Sequence, residues 1–285
     1  MNPRGQRTAV IVGAASGMGR ACAARFGADG YRLILADLST AALDSLARDL
    51  DGDACQVDVV SDEAVAALGR RCPEEVDALV ITAGLSMSMA PFERVMNVNL
   101  GGTARLLREF HPRMKPGGAA VCLASIAGHL VGDVDPGIET LLSDPLAADF
   151  ARKILDALPS EQRVSGMAYG LSKLGILRLV QRRGAEWGAR GARICSISPG
   201  VIDTPMGALE RKTSPQSEAA MTLAPIPRLG RAEEVANVAA FLCSSQASYI
   251  TACDILVDGG WVGTIHASGP TSPFAQALAS ARNKN

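Results

Sequence analysis

Aromatic residues are scarce in this 285-residue chain: two Trp, three Tyr and six Phe, or 4% in all. With 48% hydrophobic residues and 29 Gly, the core must be built from small aliphatic side chains, which suits helices lying close on a parallel sheet. Charge of one sign is also lacking. The formal net charge is −1, and the Lys and Arg residues are scattered, not striped, so no surface for a phosphate backbone is expected and nucleic acid is excluded as a partner. The seven Cys are odd in number and never form a C-x-x-C pair. That excludes a disulfide framework and a zinc site, and they read as reduced, buried, small hydrophobes of a cytoplasmic protein. His111, His129 and His266 are too dispersed to hold a metal and are given structural or surface roles. No apolar run reaches the roughly 18 residues of a membrane span, and the polar start leaves no room for the apolar stretch of a signal peptide.

What is present is an alternation. Short β-rich apolar runs at 9–12, 32–36, 54–57, 78–82, 119–124, 193–197 and 255–257 are separated by helical stretches at 18–29, 40–49, 62–71, 95–114, 169–187 and 232–244. This pattern predicts a single α/β domain over residues 1–261, with a doubly wound seven-stranded parallel sheet and helices on both faces. Ligands of such sheets sit at the carboxyl ends of the strands. One segment breaks the rhythm: 129–166 stands as an insertion in which Leu146, Phe150, Ile154 and Leu158 recur every four residues. It predicts a short amphipathic helix with Pro145 near its first turn and Pro159 ending it. Residues 262–285 turn polar and small and are expected to form a tail, frayed at 281–285.

The first strand runs into Gly13-Ala14-Ala15-Ser16-Gly17-Met18-Gly19. Glycines there let the backbone turn tightly and approach a pyrophosphate, while the amides and dipole of a helix N-terminus favour its charge. Asp37 ends the second strand about 20 residues later, where an acid can accept hydrogen bonds from both adenosine ribose hydroxyls. It also repels a 2′-phosphate, and no Lys or Arg stands inside the glycine turn, so the expected cofactor is NAD and not NADP. Tyr169 and Lys173 are four apart in a predicted helix and project from one face. A neighbouring ammonium stabilises a phenolate, so the pair can move a proton near neutral pH.

Taken in order, these residues resemble the short-chain dehydrogenase/reductases of the classical branch, and the resemblance runs from Arg7 to Gly260. Its further landmarks are Asp58-Val59, Ala83-Gly84, Asn97-Val98-Asn99, Ser125 in Ser-Ile-Ala-Gly, and Pro199-Gly200-Val201-Ile202-Asp203-Thr204. Near the end come Arg228-Leu229-Gly230-Arg231, Glu233-Glu234-Val235-Ala236 and Val257-Asp258-Gly259-Gly260. The resemblance implies a Rossmann-like domain. It implies Tyr169 as general acid or base, Ser125 as hydrogen-bond donor to the reacting oxygen, and Lys173 on the nicotinamide ribose. Asn99 would hold a water that continues the proton relay. Gly13, Ser16, Gly17, Met18, Gly19, Asp37 and Leu38 would line the cofactor's pyrophosphate and adenosine, with Asp58 and Val59 at the adenine. Ala83, Gly84, Pro199, Gly200, Ile202 and Thr204 would lie along the rest of the cofactor, Ile202 at the carboxamide through its backbone. A homo-oligomer, dimer or tetramer, and a substrate lid over about 205–225 are implied as well; Met206 falls in that lid, and Met87 and Met89, after Gly84, either line the pocket or pack, with packing preferred.

Three departures stand out. Val12 replaces the usual Thr before the first glycine, and Ile81-Thr82 replaces Asn-Asn, so the central strand must be braced differently. Tyr169 follows Ser125 by 44 positions, against little more than a dozen in the family. A comparable insertion occurs in bacterial 3α-hydroxysteroid dehydrogenase/carbonyl reductases, which the chain also resembles at 168–173 and 185–188. It points to a hydrophobic secondary alcohol or bulky ketone, and it would shape specificity, assembly or both. The alternatives are a dinucleotide sensor without turnover and an NADP-dependent reductase of the 3-oxoacyl type. A sugar epimerase of the extended type is disfavoured, because Val-Asp-Gly-Gly comes near the chain's end and leaves no substrate domain after it.

Overall fold

A computed structural model describes residues 5–213 and 222–268. Seven strands form one parallel sheet: β1 (Thr8–Val12), β2 (Arg32–Asp37), β3 (Asp53–Gln56), β4 (Val76–Ile81), β5 (Met114–Leu123), β6 (Arg193–Pro199) and, after two short strands, β9 (Cys253–Val257). Their spatial order is β3-β2-β1-β4-β5-β6-β9. The chain builds outward from β1 to β3, returns, and builds the other way from β4, so the order reverses between β1 and β4. Loops leaving the carboxyl ends of those two strands diverge there and open a crevice.

Why these runs become central strands is visible in β1. Its sequence TAVIV is buried throughout, and successive side chains go to opposite faces. Val10 and Val12 join one core with Leu79-type neighbours from β4, while Ala9 and Ile11 join the other. The first core is closed by α3 (Asp62–Arg71), α4 (Phe92–Met96), α5 (Gly102–Phe110) and α9 (Ser165–Ala189). The second is closed by α1 (Gly17–Ala28), α2 (Thr40–Leu50) and α11 (Ala232–Leu242). Two residue pairs, Ile202–Asp203 (β7) and Gly230–Arg231 (β8), form a small separate ladder.

Several expectations are refined. The stretch expected to be one helix over 95–114 is α4, a π turn at Asn97–Gly101, and then α5, with β5 beginning at Met114. The segment 129–166 begins where a short α6 (Ile126–His129) ends and holds two helices: α7 (Pro136–Ser143), whose periodicity is too short to be read, and α8 (Phe150–Ala157). Pro159 follows α8 as expected, but Pro145 lies well before it. Ile138, Leu142, Phe150, Ala151, Ile154 and Leu158 are buried in the same core as β1 and α9, and Glu139 ties α7 to α9 through Arg178 at 3.4 Å and Arg182 at 2.7 Å. The expected tail begins with a helix instead, α12 (Trp261–Ala267), because Trp261 and Val262 bury against Ala224. Residues 205–213 of the expected lid form α10 (Pro205–Thr213). Its residues 214–221, and 269–285 of the tail, lie outside the described residues.

Since α8 shares the domain's core, Ile154→Ala should lower stability by about 2–5 kcal/mol, measured as a shift in one cooperative urea transition. A separate early transition would show that the segment folds by itself. The thiols give a second expectation. Burial pushes those of Cys22, Cys72, Cys122 and Cys195 up to about 12, so near pH ~8 they stay protonated and unreactive. The half-buried Cys253 should be the first thiol to react with a disulfide reagent in native protein, and fast labelling of Cys22 or Cys122 would contradict the packing.

Candidate active site

The turn between β1 and α1 is shaped by close backbone approach. Gly13 has φ +88°, and a Cβ on it would meet the Ala83 amide nitrogen at 2.5 Å. A Cβ on Gly19 would lie 1.9 Å from the Gly13 carbonyl oxygen, so a side chain at either position would force the turn open. Thr82 braces the arrangement: its hydroxyl is 2.9 Å from Val12 O and 3.1 Å from Gly13 O. One hydroxyl just after β4 therefore does the bracing expected of the Thr and Asn residues absent at positions 12, 81 and 82. The first turn of α1 contains no acid, and Ser16 does not cap it with its side chain. Its N-terminal amides and dipole are left facing the crevice, the arrangement that suits a pyrophosphate.

Asp37 leans over this turn. Its Oδ2 accepts from the Ala15 amide at 2.9 Å and its Oδ1 from the Ser39 amide at 3.0 Å, which holds the carboxylate at the carboxyl edge of β2. The crevice holds a cavity of about 330 Å³. Every cofactor-side residue expected from the sequence lines it: Gly13, Ser16, Gly17, Met18, Gly19, Asp37, Leu38, Asp58, Val59, Ala83, Gly84, Pro199, Gly200, Ile202 and Thr204. The glycine cradle, acid-free helix end and carboxylate together fit a dinucleotide.

The same cavity is lined by Ser125, Tyr169 and Lys173. Ser125 caps α6, and its Oγ accepts from the Ala127 amide at 3.2 Å, which leaves its own proton to be donated. Lys173 is buried, and its Nζ donates to the Leu123 carbonyl at 2.8 Å. That bond holds the ammonium 5.6 Å from the centre of the Tyr169 ring. Asn99 lies beneath the cavity and does not line it. Its Oδ1 accepts from the Leu85 amide at 2.7 Å, and its Nδ2 donates to Leu85 O at 3.0 Å and to Ser172 Oγ at 3.1 Å. The π turn rotates Asn99 into this position, and such turns recur at functional sites.

Several lining residues are not singled out by the sequence. Met89, for which the sequence leaves lining the pocket and packing both open with packing preferred, lines the cavity and is half exposed. Leu85 lines it too. Arg94 reaches from α4 to within 3.5 Å of Asp58, a meeting of distant segments that no local pattern could show. Met206, in the expected lid, joins Leu85 and Met89 in the apolar part of the cavity lining. Among the described residues no His, Cys, Asp or Glu group could hold a metal.

Comparison with known proteins accords with this geometry. A family model described as Enoyl-(Acyl carrier protein) reductase matches residues 13–136 and 157–262, an interruption that falls on α7 and α8. The chain is 38% identical over 272 residues to a short-chain dehydrogenase/reductase of Alternaria brassicicola, covering 90% of this chain and 95% of that protein. It is 31% identical to a 3-alpha-hydroxysteroid dehydrogenase/carbonyl reductase of Comamonas testosteroni, with 88% and 95% covered. The crystal structure of the 3-alpha-hydroxysteroid dehydrogenase from Pseudomonas sp. B-0831 complexed with NADH superposes with a TM-score of 0.75 at 30% identity, covering 92% of this chain and 99% of that one. With the glycine turn, the sheet order and the Ser, Tyr and Lys side chains on one cavity, the chain belongs to the classical short-chain dehydrogenase/reductase family of oxidoreductases.

Proposed function

We propose that the protein is an NAD(H)-dependent oxidoreductase that interconverts a hydrophobic secondary alcohol and its ketone, with a hydroxysteroid or bulky carbonyl compound as substrate class. The observation that carries the reading is the convergence of Ser125, Tyr169 and Lys173 on the same cavity that the Gly13–Gly19 cradle lines. The nicotinamide supplies or accepts the hydride. In reduction the Tyr169 hydroxyl gives its proton to the carbonyl oxygen, and in oxidation the phenolate takes it from the alcohol. Ser125 Oγ donates to the same oxygen and holds it as charge develops there. The Lys173 ammonium stabilises the phenolate and binds the nicotinamide ribose. Asn99, by holding Leu85 and Ser172, keeps the Lys173 helix against the Gly84 loop and lies where a water could carry the relay onward.

NAD is favoured over NADP because the Asp37 carboxylate, held beside the glycine turn by the Ala15 amide, would repel a 2′-phosphate. Arg94, a cavity-lining guanidinium on α4, is already drawn to Asp58. The apolar wall of Leu85, Met89 and Met206 supports a hydrophobic substrate, since methionines adapt to irregular apolar shapes; the hydroxysteroid names of two relatives point the same way. In the same reading the protein works as a homo-oligomer, to which the exposed Phe241, Tyr249 and Leu256 beside the edge strand β9 lend support.

Formation of NADH from NAD and of NADPH from NADP, across steroid and non-steroid secondary alcohols, tests the reading. Turnover of a 3α-hydroxysteroid with NAD is expected. Turnover confined to NADP with 3-hydroxyacyl compounds, or to NADPH with 3-oxoacyl compounds, would overturn it. Tyr169→Phe should retain the fold and NADH binding while kcat falls by about 10²- to 10⁴-fold; unchanged turnover would remove the mechanism. Asp37→Ala should raise the NADP-to-NAD ratio of kcat/KM by about tenfold or more, the equivalent of 1.4 kcal/mol, and an unmoved ratio would dissociate Asp37 from cofactor choice.

A further inference from the structure

Four residues beyond Ser125, His129 ends α6 with its ring turned into a polar cluster between two strands. Its Nε2 lies 2.9 Å from Asp254 Oδ2 and 3.1 Å from Ser198 Oγ. The second oxygen of Asp254 accepts from Ser196 Oγ at 2.7 Å. Ser196 and Ser198 are buried on β6, and Ser196 is in register with Asp254 on β9. Three elements therefore meet at one imidazole. A carboxylate only accepts hydrogen bonds, so Nε2 carries the ring proton that faces Asp254. Enclosing such groups costs stability unless each is paired, and here both carboxylate oxygens are.

The turn that this cluster holds cannot hold itself. With only four residues, α6 has no helical length to support its conformation. It encloses Ser125 from both sides: the Ala127 amide bonds Ser125 Oγ, and the Gly128 amide bonds Ser125 O at 3.0 Å. On the α9 side Gly128 rests against backbone, where a Cβ would come within 2.8 Å of Leu174 N and of the Lys173 carbonyl carbon. That contact fixes how near the turn lies to the Lys173 helix but not its rotation. Ile126 packs against the Trp261 cluster, and His129 supplies the polar anchor on the β6 and β9 side. Ser198 also immediately precedes Pro199 and Gly200, which line the cavity, so the same ring links the serine turn to the loop on the cofactor side.

We propose that His129 is a positioning residue: clamped by Asp254 and Ser198, it sets the rotation of α6 and thereby the place of Ser125 Oγ relative to Tyr169. The proposal rests on the reading of Ser125 as donor to the reacting oxygen, and the test separates the two. Backbone hydrogen exchange of the 125–130 segment requires no substrate. In His129→Ala, and independently in Asp254→Asn, exchange there should quicken by about tenfold or more, with the β1 and α1 segments unchanged. His129→Gln, which offers an N–H in a similar place, should restore most of the protection. Turnover of androsterone, a 3α-hydroxysteroid, with NAD then reads the consequence. His129→Ala should lower kcat by about tenfold while KM for NAD stays within about twofold. Because the effect passes through Ser125, the Ser125→Ala/His129→Ala double variant should be no slower than Ser125→Ala alone. Wild-type exchange and kcat in His129→Ala, or penalties that multiply in the double variant, would overturn the proposal. A Ser125→Ala enzyme with normal turnover would instead overturn the reading of Ser125, while the exchange data would still show whether His129 holds the turn.

Discussion

The structure depends first on one close approach: Gly19 lying against the Gly13 carbonyl as β1 hands over to α1, with Ala83 pressed on the other side. No side chain can enter that space, so β1, α1 and the loop after β4 meet at van der Waals distance. The crevice at the reversal of strand order inherits its shape from that contact. Thr82 converts the contact into a fixed one by bridging the Val12 and Gly13 carbonyls. The acid-free end of α1 then faces an opening of defined width, and Asp37 completes its rim through two backbone amides.

The opposite side of the cavity is fixed by different means. The 25-residue α9 lies against its neighbours through small residues. Gly175 admits Leu100 of the π turn, where a Cβ would stand 2.5 Å from its Cδ2, and Gly128 lets α6 rest on the Lys173 turn. Lys173 is anchored to Leu123 at the end of β5, so the sheet itself holds the ammonium under the tyrosine. Asn99 joins the π turn, the Gly84 loop and Ser172 in one buried set of hydrogen bonds. Little in this half relies on long side chains reaching across solvent, which is how an assembly poor in aromatics keeps its reacting groups in place.

The insertion extends that half and does not stand apart. Its apolar residues enter the core already formed by β1 and α9, and Glu139 adds a pair of ionic contacts to the outer face of α9. Such exposed pairs contribute little by themselves; burial of Phe150, Ile154 and Leu142 supplies the attachment. The segment thereby backs the helix that carries Tyr169 and Lys173, while the apolar wall at the cavity mouth comes from elsewhere: Leu85 and Met89 after β4, and Met206 at the start of α10.

By itself the sequence determined the sheet, its seven strands and the positions of the cavity-lining glycines, Asp37, Ser125, Tyr169 and Lys173. Buried parallel strands read as unbroken apolar runs, and turns that admit no Cβ must be glycine, so both leave local marks. It also marked α8, through a four-residue repeat. Tertiary structure alone decided what depends on segments distant in the chain. The π turn divides a stretch that local periodicity reads as one helix, because Asn99 must turn inward to reach Leu85 and Ser172. Met89 faces the cavity, Arg94 meets Asp58, and Trp261 and Val262 bury against Ala224 where a polar-looking stretch begins. His129 looked like any isolated histidine until folding carried Ser198 and Asp254 to it, 69 and 125 residues away along the chain. A hydrogen bond between such distant groups leaves no periodicity in either segment, so only the packed molecule can reveal it.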